Sequence, residues 1–169
     1  MRSQGRKDKR LALWCVLVAA VVTVSGGCSS GGSRPSTFSI RAVNGEQLPP
    51  CAPPPKPSTN AGVLPLVEQG KTVSCLHVAQ APITQKDVTS ASAVDGASGW
   101  QVDFVLDKSG ADALDQLAAA HLGDKLAMEV GGVVYNTPPV HTSQFNGRGA
   151  ISGLDETTAK RIASELHSA

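Results

Sequence analysis

Few residues in this chain are placed to do chemistry. Asp103, Asp107, Asp112 and Asp115 put four carboxylates within 13 positions, a density that could serve acid–base catalysis or hold a hard cation. Their spacing lacks the x-aspartate alternation and the closing bidentate Glu of a calcium loop. Asp103 falls on the polar side of an alternating strand, Asp112 near a helix start and Asp115 on the wet side of that helix, so a solvated face explains them. Gly147-Arg148-Gly149 with Gly153 has the glycine density of a phosphate cradle. It leads into a short strand, however, and no helix N-terminus stands directly behind it to meet an anion. Ser152 lacks the Gly-x-Ser-x-Gly frame of a nucleophile elbow. His77, His121, His141 and His167 lie far apart, without paired spacing to a cysteine, which leaves no zinc pattern. The chain therefore reads as non-catalytic, with no cofactor and no metal.

Cysteine usage and the N-terminus bear on the compartment. Arg2, Arg6, Lys7, Lys9 and Arg10 precede an apolar run from Leu11 to Val24, broken only by Thr23. A membrane-spanning helix takes about 20 apolar residues, so this shorter run reads as a signal-peptide core over residues 1–27. Ser25-Gly26-Gly27-Cys28 then resembles the lipobox of bacterial lipoproteins, with Ser25 where an aliphatic residue is usual. That resemblance implies lipidation of Cys28, a polar tether over 28–36, and attachment to the extracytoplasmic face of the membrane. Cleavage near Gly26 or Gly27, giving a secreted protein, and an uncleaved short anchor are the other readings.

Of 15 basic and 14 acidic residues, five and one lie in residues 1–27, so the remainder keeps ten and thirteen, a net charge of −3. With no basic cluster and no aromatic–basic interleaving, nucleic acid is excluded as a partner. Two thiols remain, Cys51 and Cys75, and in an exported chain they are expected to form a disulfide. Closing a loop of that length contributes roughly 3–4 kcal/mol in the chain-entropy picture. Two unpaired buried cysteines are the alternative.

The elements that would position these residues fall into an irregular front and a regular back. Residues 37–81 hold a strand at Thr37–Val43, a proline tract from Pro49 to Pro57 that forbids helix and central strand, and apolar stretches at Leu64–Val67 and Val73–Val78. Residues 82–169 are more regular. Val88–Val94 and the alternating Trp100, Val102, Phe104 and Leu106 read as a hairpin across Asp95–Gly99. Ser109 and Asp112 read as a capping box for a helix whose stripe runs through Ala113, Leu114, Leu117, Ala118 and His121. Leu126–Val130 and Val133–Thr137 flank the Gly131-Gly132 turn. Ala150-Ile151-Ser152 is a short strand between glycine corners, and Asp155 caps a last helix carrying Ala159, Ile162, Ala163 and Leu166. The order ββαββ(β)α predicts an α+β domain: a small mixed or antiparallel sheet with two helices packed on one face, preceded by the Pro-rich region.

Trp100 to Asp107, Gly110, Leu126-Ala127-Met128, Gly132-Val133, Thr137-Pro138, Gly149-Ala150-Ile151-Ser152-Gly153 and Ala159 to Leu166 follow one another in an order that resembles the extracytoplasmic head domain of SecD, over about residues 82 to 167. The resemblance implies a binding or accessory module linked to protein export, whose partners would be exported polypeptides or Sec translocase components. SecD's proton coupling rests on ionisable groups in membrane helices, and no acidic residue stands in the Leu11–Val24 run. Family members commonly have Ser-Ala before the proline and Asn-x-x-Ile before the glycine corner. Here Asn136-Thr137 and Ser143-Gln144-Phe145-Asn146 stand in those places. A partner-binding loop built from Asn136, Thr137, Pro138, Gln144, Phe145 and Asn146 is therefore expected. The alternative is a cell-envelope lipoprotein that binds a small ligand or lipid on a reused scaffold.

Overall fold

A computed structural model describes residues 38–52, 59–97 and 99–167. Cys28, the signal segment and the tether lie outside the described residues, as does most of the proline tract beyond Ala52. Among the described residues nine strands and two α-helices follow in order: β1 (Phe38–Gln47), β2 (Gly62–Glu68), β3 (Lys71–Val78), β4 (Ile83–Thr84), β5 (Val88–Gly96), β6 (Gly99–Leu106), α1 (Lys108–Ala120), β7 (Leu126–Val130), β8 (Val133–Asn136), β9 (Arg148–Leu154) and α2 (Glu156–His167).

The α+β class and the two helices agree with the sequence pattern, but the strands sort differently from the single sheet expected. β7 and β8 leave β5 and β6 and join β1–β3. Strand order β3-β2-β8-β7-β1 closes on itself because β1 also pairs with β3, which gives a five-stranded barrel with β4 added beside β1. A separate three-stranded sheet has the order β5-β6-β9. The reason is length. Ten-residue β1 pairs along one edge with β7, from Phe38↔Val130 to Ala42↔Leu126, and along the other with β4 and then β3, reaching Gln47↔Cys75. β2 and β8 meet in parallel at Leu66↔Val134.

Both faces of β1 and β7 are buried, so their alternation separates two cores and not core from water. Phe38, Ile40 and Ala42 of β1, with Leu126, Met128 and Val130 of β7, face the main core. There they meet Val102, Phe104 and Leu106 of β6, Ile151 of β9, Leu114 and Ala118 of α1, and Ala159, Ile162 and Leu166 of α2. Phe38 and Phe104 pack edge to face, with ring centres 5.2 Å apart. Inside the barrel stand Leu64, Leu66, Leu76, Val78, Ala127 and Val134.

That second core also contains charge. Arg41 Nη2 lies 2.6 Å from Glu129 Oε2, with the two side chains only 2% and 0% exposed. Ser39 donates to the same carboxylate oxygen and accepts from Arg41 Nε at 2.8 Å, while Arg41 Nη1 donates to the Asn60 carbonyl at 2.6 Å. Charges taken out of water are tolerated only when paired and hydrogen-bonded, and these are. Cys51 and Cys75 form the disulfide, with a Cα–Cα distance of 5.4 Å. It ties the chain just beyond β1 to β3 at the register where those strands close the barrel.

The start of α1 corrects the capping box expected from Ser109 and Asp112. β6 runs almost directly into the helix, so the cap lies two residues earlier: Asp107 accepts from the Gly110 N–H at 2.7 Å and from the Ser109 hydroxyl at 2.8 Å. Asp112 instead pairs with Lys108 one turn back, at 2.7 Å. At α2 the cap is as expected, with Asp155 accepting from the Thr158 N–H at 2.8 Å.

Candidate partner-binding cleft

The segment from Thr137 to Gly147 joins β8 to β9, and the structure pins it at four places. Near its start, the Pro138 carbonyl accepts from Leu126 N–H at 3.1 Å. Val140, itself buried, donates to Asp124 O and accepts from Gly123 N–H, both at 2.9 Å. Toward its end, the Phe145 N–H donates to Asp115 Oδ1 at 2.8 Å, and the Gly147 carbonyl accepts from Leu106 N–H at 2.8 Å. Asp115 thus has a different role from the solvated one expected of it. Its carboxylate crosses from α1 to hold the loop, a contact 30 residues away in sequence that helical periodicity alone cannot reveal.

Two glycines permit this path. Gly147 has φ +68° and lies where a Cβ would come within 2.8 Å of Ala111 Cβ, so a side chain there meets both backbone strain and a clash. Gly149 lies against the Phe104 ring, where a Cβ would come within 2.3 Å of its Cζ. Its place is therefore inside a strand, and β9 runs for seven residues where the sequence suggested three between corners.

Between the pinned points the loop roofs an apolar cleft of about 170 Å3. Leu114, Leu126 and Met128 form its floor; Pro138, Pro139, Val140 and Phe145 come from the loop; Arg148, Gly149 and Ala150 close it from β9. Of the six residues expected in a partner-binding loop, Pro138 and Phe145 line this cleft, both half-buried. Gln144 and Asn146 project into solvent, Asn146 with φ 53°. Asn136 and Thr137 line an adjoining, more polar cavity of about 480 Å3 together with Glu68, Lys71, Ser152 and Gly153. The structure thus divides four of the six between two cavities and leaves Gln144 and Asn146 outside both. A further cavity of about 560 Å3 continues past Tyr135, Gly153 and Leu154 to Asp155 and Thr158.

Sequence reasoning missed Tyr135, which lines both polar cavities and accepts from Arg161 Nη2 of α2 at 3.0 Å. As the lone tyrosine, on the strand leading into the divergent loop, it carried a signal that could have been used. Asn136 Nδ2 reaches the Ala150 carbonyl at 3.5 Å, and its Oδ1 is buried without a partner among the described residues. At the helix caps, the Gly110 N–H holds the Asp107 carboxyl below its ordinary value of 3.8, and the Thr158 N–H does the same for Asp155. Both groups are at the surface. No cluster of three or more His, Cys, Asp or Glu side chains suited to a metal occurs among the described residues. No described helix is long and apolar enough to cross a membrane.

Comparison with known proteins follows the geometry. Among curated proteins no sequence match is found. Solved structures share the fold. One, described as SecDF in a super-membrane-facing form, superposes with a TM-score of 0.59 at 20% identity over 79% of this chain and 19% of its own. Another, described as a membrane component SecDF that enhances protein export, gives a TM-score of 0.58 at 20% identity over 79% of this chain and 62% of its own. The chain thus spans less than two thirds of either structure. The family model for the SecDF P1 head subdomain matches residues 62–169, and the chain belongs to that family.

Proposed function

We propose that this protein is a lipid-anchored extracytoplasmic module that contacts exported polypeptides or Sec translocase components without catalysing a reaction. The observation that carries the reading is the loop from Asn136 to Asn146. It is the part of the domain where the chain departs from the SecD pattern, and hydrogen bonds hold it over an apolar cleft, with Val140 anchored in the main core and Phe145 packed at the edge of that core. Support for the export link comes from family membership and from the solved relative described as enhancing protein export. A surface that binds without reacting needs apolar area and a fixed loop, and this one has both.

Attachment through Cys28 would concentrate the module at the membrane where exported chains emerge. Crosslinking in the protein's own cells followed by purification tests the main reading. SecD, SecF or exported polypeptides should be recovered, and recovery of none of them counts against it. Processing that is insensitive to globomycin, or unchanged by Cys28→Ala, would remove the anchor.

The apolar cleft also favours a second reading, a cell-envelope lipoprotein that holds a small apolar ligand or lipid. Native mass spectrometry of protein from its own cells would show a bound mass under that reading and the bare chain under the first.

A further inference from the structure

The apolar cleft under the loop has a size and a single charge that together choose an occupant. Its volume of about 170 Å3 lies below the roughly 300–1,000 Å3 of sites that enclose a whole small ligand. It is close to the roughly 150 Å3 of an apolar cavity that takes up one benzene ring. A lipid acyl chain would leave most of its length outside such a space, whereas one side chain of a polypeptide fills it. We infer that the cleft takes a single aromatic side chain of an exported polypeptide whose neighbouring residue is acidic, the ring lying over Met128 and the carboxylate meeting the Arg148 guanidinium. This deepens the proposed function and rests on it, since it names the part of such a polypeptide that is held.

The walls favour a ring over an aliphatic group. Met128 in the floor offers a polarisable sulfur, and Phe145 in the loop offers a second ring; both attract an aromatic side chain beyond the area it buries. The loop that supplies Phe145 is already fixed by Val140 in the main core and by the Asp115 carboxylate, so little ordering is left to be done on binding. Pro139 and Arg148 are the exposed lining residues and mark the mouth.

Charge chooses the neighbour of that ring. Arg148 alone among the lining residues is charged; the others are apolar or glycine. Among the described residues it makes no ion pair and no side-chain hydrogen bond. Carboxylates on adjoining elements have other partners: Asp103, opposite Ala150 on β6, accepts from Gln101 Nε2 at 2.7 Å, and Asp115 on α1 accepts from the Phe145 N–H at 2.8 Å. A cation left at the rim of an apolar pocket attracts an acidic neighbour and repels a basic one, so the ring supplies affinity and Arg148 supplies specificity.

The chain has two methionines, Met1 and Met128, so labelling the methionine methyls of the full chain in neutral lipid nanodiscs puts one NMR reporter in the cleft floor. Three short peptides in a Gly/Ser background are titrated: one with Phe followed by Asp, one with Ala in place of the Phe, and one with Lys in place of the Asp. The Phe-Asp peptide should shift the Met128 methyl by its ring current and bind about tenfold more tightly than either of the others. Arg148→Glu should leave the unfolding midpoint in place, since this side chain is exposed, and reverse the preference in favour of the Lys peptide. Equal affinity for the Phe and Ala peptides, a Met128 methyl that does not move, or a charge preference that survives Arg148→Glu overturns the inference. Decanoic acid that shifts Met128 and binds more tightly than the Phe-Asp peptide would make the occupant a lipid, and overturns it too. Binding of no peptide overturns it as well, while crosslinks from position 145 to exported chains would still uphold the proposed function. Peptide selectivity without any such crosslink would uphold the cleft's preference and remove its link to export.

Discussion

In the barrel, β1 pairs along both edges, with β7 on one side and with β4 and then β3 on the other; in the three-stranded sheet, β9 pairs along one. The closed region also carries a covalent tie, Cys51–Cys75, and an ion pair sealed inside it. The open region has neither, and its neighbouring loop is held by a few hydrogen bonds and by Val140 in the main core. Sheet edges are usually blocked or covered because they invite pairing. Here one part of the fold closes on itself while the other ends in two outer strands, β5 and β9, the second beside the loop and its apolar cleft, so stability and recognition are assigned to different parts of the fold. Substitutions in the barrel should change stability, and substitutions along the loop and cleft should change binding.

Breaking the buried pair should have the largest effect. Glu129→Ala leaves Arg41 charged inside the barrel, and a loss of about 3–5 kcal/mol is expected in denaturant unfolding. Replacing Arg41 and Glu129 together by apolar residues of similar size should cost much less. A double substitution as damaging as the single one would show that packing, not charge, is what Glu129 supplies.

Next is Cys51→Ser with Cys75→Ser. Freeing the β1–β3 closure should destabilise by about 2–4 kcal/mol, read as a lower Tm under non-reducing conditions. An unchanged Tm would mean that strand pairing alone holds the barrel shut.

On the open side, Phe145→Ser removes a half-buried ring at the edge of the main core, so it should cost less stability than either barrel substitution while weakening capture of exported polypeptide by about tenfold, as expected for an apolar anchor at a contact. A stability loss as large as that of Glu129→Ala would make Phe145 a core residue first and undo the distinction between the two regions.

The smallest effect concerns pH. Asp107 and Asp155 have folded-state values below their ordinary one, so each stabilises its helix above about pH 3.8 and loses that contribution as pH falls through the depressed folded value. Asp107→Asn should therefore lower Tm slightly at neutral pH and make little difference in strong acid. A constant Tm difference across that window would point to packing and not to the charge on the cap.

What could be read from the sequence divides along physical lines. The helices, their stripes and the hairpin β5–β6 were legible because each depends on spacing within a few residues. The barrel was not. Ser39 and Arg41 on β1, and Glu129 on β7, look like the solvent face of half-buried strands, since a small barrel's polar interior and water leave the same period-two mark. The assignment of β7 and β8 to the barrel depended on how far β1 could reach, and a pattern window contains nothing of that. At the candidate site the loop could be located by its departure from the family pattern. Its anchor Asp115 and the partition of its residues between two cavities came from contacts across 30 residues and more.

The central claim is that partners are met at the loop and cleft and not at the barrel. A photocrosslinking amino acid placed at position 145, and in a second strain at the largely exposed Leu48 on the barrel side, compares the two regions in living cells. The account predicts adducts to exported polypeptides or Sec components from position 145 and none from position 48. Adducts from position 48 alone, or equally from both, would contradict it.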